Sequence, residues 1–241
     1  MSIAVIGNGA IANLVCWLSH QNLLECVNYV RENSDPQLVC QMLSGDEVVL
    51  DRKMIKLVDV HAKQIDQPLV FLPLKAYQII PALKQYSNSF DGKSTIVLLH
   101  NGMIDLDKVK QLIPDNPIVA ATTSNGAFKP QVNKLCITGI GPTQAGWVRK
   151  ATKAEGIETQ LNQLLSPCEW SNDIQQILWR KLAVNAVINP LTALYDVNNG
   201  ELARPQFQKE IMAITNEVTA IMNQLGYQTD CHQLIKNVAG A

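Results

Sequence analysis

The sequence predicts an α/β fold: an N-terminal domain on a largely parallel sheet, followed by an all-helical domain. Three observations predict it. Short runs rich in β-branched residues alternate with helical stretches through the first half, the pattern of βαβ units. A glycine turn, Gly7-Asn8-Gly9, stands directly between the first strand and the first helix. After about Ser171 the apolar period becomes helical and stays so, which places a boundary near residue 170 and divides the chain into 1–170 and 171–241.

Each element has a local reason. Ile3 to Ile6 is a strand; Ala10 to Ser19 carries Ile11, Leu14, Val15 and Leu18 on one helical face; Cys26 to Val30 is the next strand. Two β-rich runs between Leu38 and Leu57 flank Ser44-Gly45-Asp46 and predict a hairpin. Pro68 to Leu74 and Thr95 to Leu99 are continuous apolar runs, as strands covered on both faces should be, with a helix near Ala76 to Gln85 between them. Pro117 to Thr123 is a further strand, and Val132 to Val148, with glycines at 139, 141 and 146, reads as an antiparallel pair closing the sheet. Ile174 to Leu194 is a long apolar helix that Pro190 must kink or break. Pro205 marks the first turn of the next helix, whose apolar face runs Ile211, Ile214, Val218, Ile221.

Composition excludes several classes of function. With 241 residues, 47% hydrophobic, 17% charged and a net charge of -1, the chain is that of an ordinary globular protein. No basic arm or acidic tail points to a nucleic acid, and no apolar run is long enough to span a membrane. The first nine residues read as strand and turn with no charged leader, so a cytoplasmic protein is expected. Six cysteines (Cys16, Cys26, Cys40, Cys136, Cys168, Cys231) lie too far apart in sequence for zinc or dithiol motifs and are expected to be reduced thiols, with disulfides as the alternative.

The run Gly7-Asn8-Gly9-Ala10-Ile11-Ala12 has the context that gives a glycine fingerprint its meaning. The first glycine permits the tight turn, the second lets backbone approach a pyrophosphate, and Ala12 lets helix pack close to strand. The helix N-terminus adds unpaired N–H groups. A Rossmann-like dinucleotide-binding domain is therefore expected. The next strand ends Asn28-Tyr29-Val30-Arg31, and Arg31 suits the 2′-phosphate of NADP(H). Glu32 follows and offers the alternative, a ribose hydroxyl of NAD.

On the long helix Lys181, Asn185 and Asn189 lie four residues apart and rise along one face. One ammonium and two carboxamides can grip a ligand bearing a carbonyl, a hydroxyl and a carboxylate; the alternative is a solvated face with a helix–helix amide bond. Hydride transfer to a ketone creates an alkoxide that needs a proton, and Lys181 can supply it if burial lowers its pKa.

At these residues the chain resembles the ketopantoate reductase (2-dehydropantoate 2-reductase) family. The likeness runs through the glycine turn, Leu74-Lys75-Ala76, His100-Asn101-Gly102-Met103, Trp179 to Thr192, and Asn198-Asn199-Gly200-Glu201-Leu202. It implies NADPH-dependent reduction of ketopantoate to pantoate, with Lys181 as proton donor and Asn185, Asn189 and Asn199 on the substrate's carboxylate and hydroxyl. It further implies Asn101 at the nicotinamide ribose, Lys75 at the adenosine end, and Ala127, in the loop after the Pro117 strand, touching the cofactor by backbone. Family members continue through further helices that contribute a serine and a glutamate, and no residue here matches either, so the helical domain reads as C-terminally incomplete. A reductase of another 2-oxo acid and a non-catalytic NADP-binding homologue are the alternatives, and exposed apolar surface on such a domain would suit a homodimer.

Overall fold

The computed structural model describes residues 2–32, 34–150, 154, 156–227, 229–230 and 235. Residues 231–241, where the sequence reads as a further helix from about Cys231, lie outside the described residues apart from Ile235. The first half runs β1 (Ser2–Ile6), α1 (Ala10–Gln21), β2 (Glu25–Val30), β3 (Gln37–Gln41), β4 (Glu47–Asp51), β5 (Lys53–Lys56), β6 (Leu69–Leu72), α2 (Ala76–Tyr86), β7 (Thr95–Leu99) and α3 (Leu106–Leu112). Then follow β8 (Ile118–Thr123), β9 (Gly126–Gln131), β10 (Lys134–Gly139), β11 (Thr143–Arg149), α4 (Ile157–Leu164), β12 (Cys168–Trp170), α5 (Ile174–Tyr195) and α6 (Gln208–Gln224).

The chain divides into two compact units, one of residues 1–100 and 104–174, the other of 101–103 and 175–241. In the first, an eight-stranded sheet has the order β12-β11-β8-β7-β6-β1-β2-β5. From β8 to β5 every pairing is parallel, and chain order reverses between β1 and β6. That reversal is the switch point at which open α/β sheets take up ligands, outside the carboxyl ends of the strands.

Strand alternation builds the core on both faces of this sheet. Ile3, Val5, Phe71, Val97 and Val119 face α1, α4 and a second sheet. Ala4, Ile6, Val70, Leu72, Ile96 and Leu98 face α2 and α3. All five residues of β7 are buried, which is why its sequence after Thr95 is continuously apolar rather than alternating.

The second sheet, of order β4-β3-β10-β9, corrects two expectations. The β3–β4 hairpin forms as expected, but the run after it splits at Arg52, and β5 leaves to pair in parallel with β2. Residues 132–148 do not form an antiparallel pair with each other. Instead β10 pairs antiparallel with β9 across a two-residue turn and in parallel with β3, while β11 pairs antiparallel with β8 in the large sheet. Gly139 and Gly141 permit a crossover between sheets, not a hairpin; a Cβ on Gly141 would lie 2.9 Å from Ser124 Cβ.

The second unit is helical. α5 continues through Pro190 to Tyr195 without a break, and Thr192 Oγ1 donates to the carbonyls of Ile188 at 3.0 Å and Asn189 at 3.2 Å. Val187, Ile188 and Leu191 pack with Leu202, Phe207 and Ile211, while Ala183 packs with Met222. Ile221 is half exposed and Met222 fully buried, so the inner face of α6 turns one residue away from the expected stripe. Pro205 opens a short 3₁₀ turn that leads into α6. The five described cysteines are free thiols. No helix is long and apolar enough to cross a membrane, and no group of three potential metal ligands is present among the described residues.

Candidate cofactor and active-site residues

The glycine turn follows β1 and is held from below. Asn28 Nδ2, fully buried in β2, donates to the carbonyls of Gly7 at 2.7 Å and Val5 at 3.1 Å, and Gly7 N–H donates to the Tyr29 carbonyl at 2.8 Å. Gly7 has φ +115°, which demands glycine; a Cβ there would lie 2.9 Å from Leu74 Cδ2, the tip of a side chain that would have to shift. Gly9 differs: its φ is -75° and a Cβ would meet nothing within 4 Å. Its missing side chain leaves clear the N-terminus of α1, whose first-turn N–H groups lack helical acceptors. No acidic residue stands in that first turn. Ala10 and Ile11 are half-buried there, and Ala12 is fully buried against the core.

The turn is tied to its surroundings by residues the sequence did not single out. Arg52, buried where the chain leaves the small sheet, donates to Asn8 Oδ1 at 2.9 Å, to Asn13 Oδ1, to the Asp35 carbonyl at 2.6 Å and to the Pro36 carbonyl at 3.3 Å. Asn8 Nδ2 donates to Ser34 Oγ at 2.9 Å. Lys129 Nζ, from β9, donates to the Asn8 carbonyl at 2.9 Å. Burial lowers the pKa of Arg52; burial first, and then the charge of Arg52, lower that of Lys129. In the sequence Arg52 lies between Asp51 and Lys53 and reads as a solvated hairpin charge.

The expected strand-end residues each follow the carboxyl end of a parallel strand in the chain. Arg31 and Glu32 both lie exposed in the bend directly after β2. Lys75, exposed, caps α2 just beyond β6, its N–H donating to Gln78 Oε1 at 3.1 Å. Asn101 is exposed beyond β7, between buried His100 and Gly102, whose φ is +87°. Ala127 is not in a loop: it lies in β9, opposite Ile137 and two residues before Lys129.

On α5, Lys181 and Asn185 are half-buried, whereas Asn189 is exposed. Burial brings the Lys181 ammonium down from 10.5 to about 8. Asn199 is exposed in a 3₁₀ turn organised by its neighbours. Asn198 N–H donates to Glu201 Oε2 at 3.0 Å, Arg204 pairs with Glu201 at 2.8 Å, and Leu202 is buried in the helical core. Most of Asn198-Asn199-Gly200-Glu201-Leu202 thus builds the turn that presents Asn199.

Comparison with known proteins gives the family. The family model for ketopantoate reductase PanE/ApbA matches residues 3–150, and that for the PanE/ApbA C terminal matches residues 173–241. The 2-dehydropantoate 2-reductase of Vibrio cholerae is 32% identical over 92% of this chain and 73% of its own length. That of Yersinia pestis is 31% identical over 99% and 76%. With the Escherichia coli O157:H7 enzyme, 34% identical, the match spans 69% of this chain and about half (54%) of that one. Among solved structures, D-mandelate dehydrogenase with NADH and anilino(oxo)acetate superposes with a TM-score of 0.89 at 21% identity, covering 100% of this chain and 79% of that one. A dimeric ketopantoate reductase from Staphylococcus aureus gives 0.76 at 17%, covering 100% and 86%. Both show the fold.

Proposed function

The chain belongs to the ketopantoate reductase PanE/ApbA family, and from that membership we propose that it reduces 2-dehydropantoate (ketopantoate) to pantoate with NADPH, a step of pantothenate and coenzyme A biosynthesis. Residues 1–170 serve as the NADP-binding domain and 171–241 as the helical domain that carries substrate and catalytic groups. The observation that carries the reading is Lys181, half-buried on α5 with its pKa lowered to about 8.

The residues present fit a dinucleotide. Gly9 leaves open space at the N-terminus of α1, and cationic side chains stand beside the turn. The bound reduced nicotinamide supplies the hydride for the ketone carbon. Lys181 donates the proton that the ketone oxygen needs as its charge develops, which general acid catalysis places at about 10²- to 10⁴-fold in rate. Near neutral pH it is a protonated donor, acidic enough to release the proton. Asn185, Asn189 and Asn199 hold the substrate's carboxylate and hydroxyl. Arg31 takes the 2′-phosphate, Lys75 the adenosine end, Asn101 the nicotinamide ribose, and Ala127 a backbone contact. The protein acts in the cytoplasm as a homodimer, in keeping with the dimeric Staphylococcus aureus relative, and sedimentation of the purified chain checks that state.

The test is the loss of NADPH absorbance with ketopantoate beside a panel of other 2-oxo acids. Ketopantoate is expected to turn over fastest, with kcat falling as pH rises through about 8 and dropping about 10²- to 10⁴-fold in Lys181→Ala. An unchanged kcat in that variant refutes the assignment.

A further inference from the structure

The turn between β1 and α1 carries two cations on one residue. The side-chain oxygen of Asn8 accepts from the Arg52 guanidinium at 2.9 Å, and its main-chain oxygen accepts from Lys129 Nζ at 2.9 Å. Arg52 is buried and Lys129 half-buried, and none of the ion pairs found among the described residues involves either. Arg52's hydrogen-bond partners are carboxamide and main-chain oxygens, and the Asp35 carboxylate favours its charged form without pairing with it, so that burial still lowers its pKa. Partial burial and the neighbouring guanidinium both work against the protonated form of Lys129. Two desolvated positive charges side by side cost stability unless an anion repays them.

The place selects the anion. Asn8 lies between Gly7 and Gly9, and Gly9 opens α1, whose first-turn N–H groups favour an anion at the same point. The bond to the Asn8 carbonyl uses one of the three donors of an ammonium. Lys129 comes from β9 of the second sheet, so this contact is supplied by the strand after β8 and not by the βαβ unit that holds the turn.

We propose that Lys129 is a ligand of the dinucleotide's pyrophosphate, set beside the turn by the Asn8 carbonyl, and that Arg52 is the positioning residue that holds Asn8 for it. The role rests on the dinucleotide-binding reading given above. A pyrophosphate is common to NADPH and NADH, whereas a 2′-phosphate is not, so the two nucleotides separate this contact from one at Arg31.

The experiment is fluorescence titration of the whole chain with NADPH and with NADH, for the wild type and for Lys129→Met, Lys129→Arg and Lys129→Gln. Lys129→Met is expected to weaken both nucleotides about 10-fold, by the same factor within error. Lys129→Arg should restore most of the affinity, and Lys129→Gln, which can still donate to the Asn8 carbonyl but carries no charge, should not. Wild-type affinity in Lys129→Gln would reduce the residue to a tie between sheet and turn and overturn the proposal. So would an unchanged Lys129→Met, or a loss confined to NADPH. A wild type that binds neither nucleotide would instead overturn the dinucleotide reading itself and take this role with it.

Discussion

The glycine turn and the polar stripe of α5 are both polar sites on apolar scaffolds, but they are built in opposite ways. At the turn, groups from β1, β2, β9 and the segment around Arg52 converge through named hydrogen bonds, and sheet topology supplies the geometry. On α5, Lys181, Asn185 and Asn189 come from a single helix, and their alignment needs only its pitch. The first is a network in which each member fixes others; the second is a row set by the periodicity of one helix. Damage at the turn should therefore appear as lost folding free energy, and damage on the helix as lost chemistry with the fold intact.

Arg52→Ala should break the turn most. It leaves buried Asn13 and half-buried Asn8 without their donor, along with the more exposed carbonyls of Asp35 and Pro36, a loss of about 3 kcal/mol. Urea unfolding measures it, and Arg52→Lys should recover only part, because one ammonium cannot reproduce the planar fork. A loss under about 1 kcal/mol would mean that the network does not organise the turn.

The two glycines sharpen the contrast inside the turn itself. Gly7→Ala meets both a φ of +115° and the Leu74 side chain at 2.9 Å, and should cost about 2 kcal/mol in the same unfolding experiment. Gly9→Ala meets neither and should leave stability within about 0.5 kcal/mol while weakening NADPH, because the added methyl would stand where we propose that the cofactor approaches. Equal effects of the two substitutions on stability would remove the distinction between a glycine kept for the chain and one kept for a ligand.

The same contrast explains what was legible in the sequence. The parallel core was readable because its strands are continuous apolar runs: Thr95 to Leu99 could only be a strand buried on both faces. Lys181 stood out because helical spacing is a local property. The second sheet was not readable as a sheet, since β3 and β10 are joined by a pairing nearly a hundred residues apart in sequence, and no local pattern says that β10 turns away from β11. Arg52 and Lys129 were missed for the same reason. Arg52 is an ordinary cation in a hairpin, and Lys129 one in a loop, until the topology of two sheets sets them against Asn8. Asn199 was found by resemblance alone, and its turn shows why: Glu201 and Leu202 do the local work, and nothing physical distinguishes Asn199 in a linear reading.

The smallest effect tests the helix side of the comparison. A lysine whose native pKa lies near 8, against 10.5 when unfolded, binds its proton less tightly in the folded state than in the unfolded one. Between those values the unfolded chain carries more protons, so stability contributed by this group rises with pH across that window. Below pH 8 the native state bears the full cost of keeping the ammonium half-buried. Discounted for the part of the side chain that water still reaches, that cost is about 1 kcal/mol. Lys181→Met should therefore unfold at higher urea than the wild type at pH 7, and its advantage should shrink as pH rises from 8 towards 10.5. Since the same substitution removes the proposed proton donor, the variant should be more stable while its kcat falls about 10²- to 10⁴-fold. A Lys181→Met advantage that does not change with pH would trace the gain to packing instead of charge, and would deny Lys181 the burial on which its proposed chemistry depends.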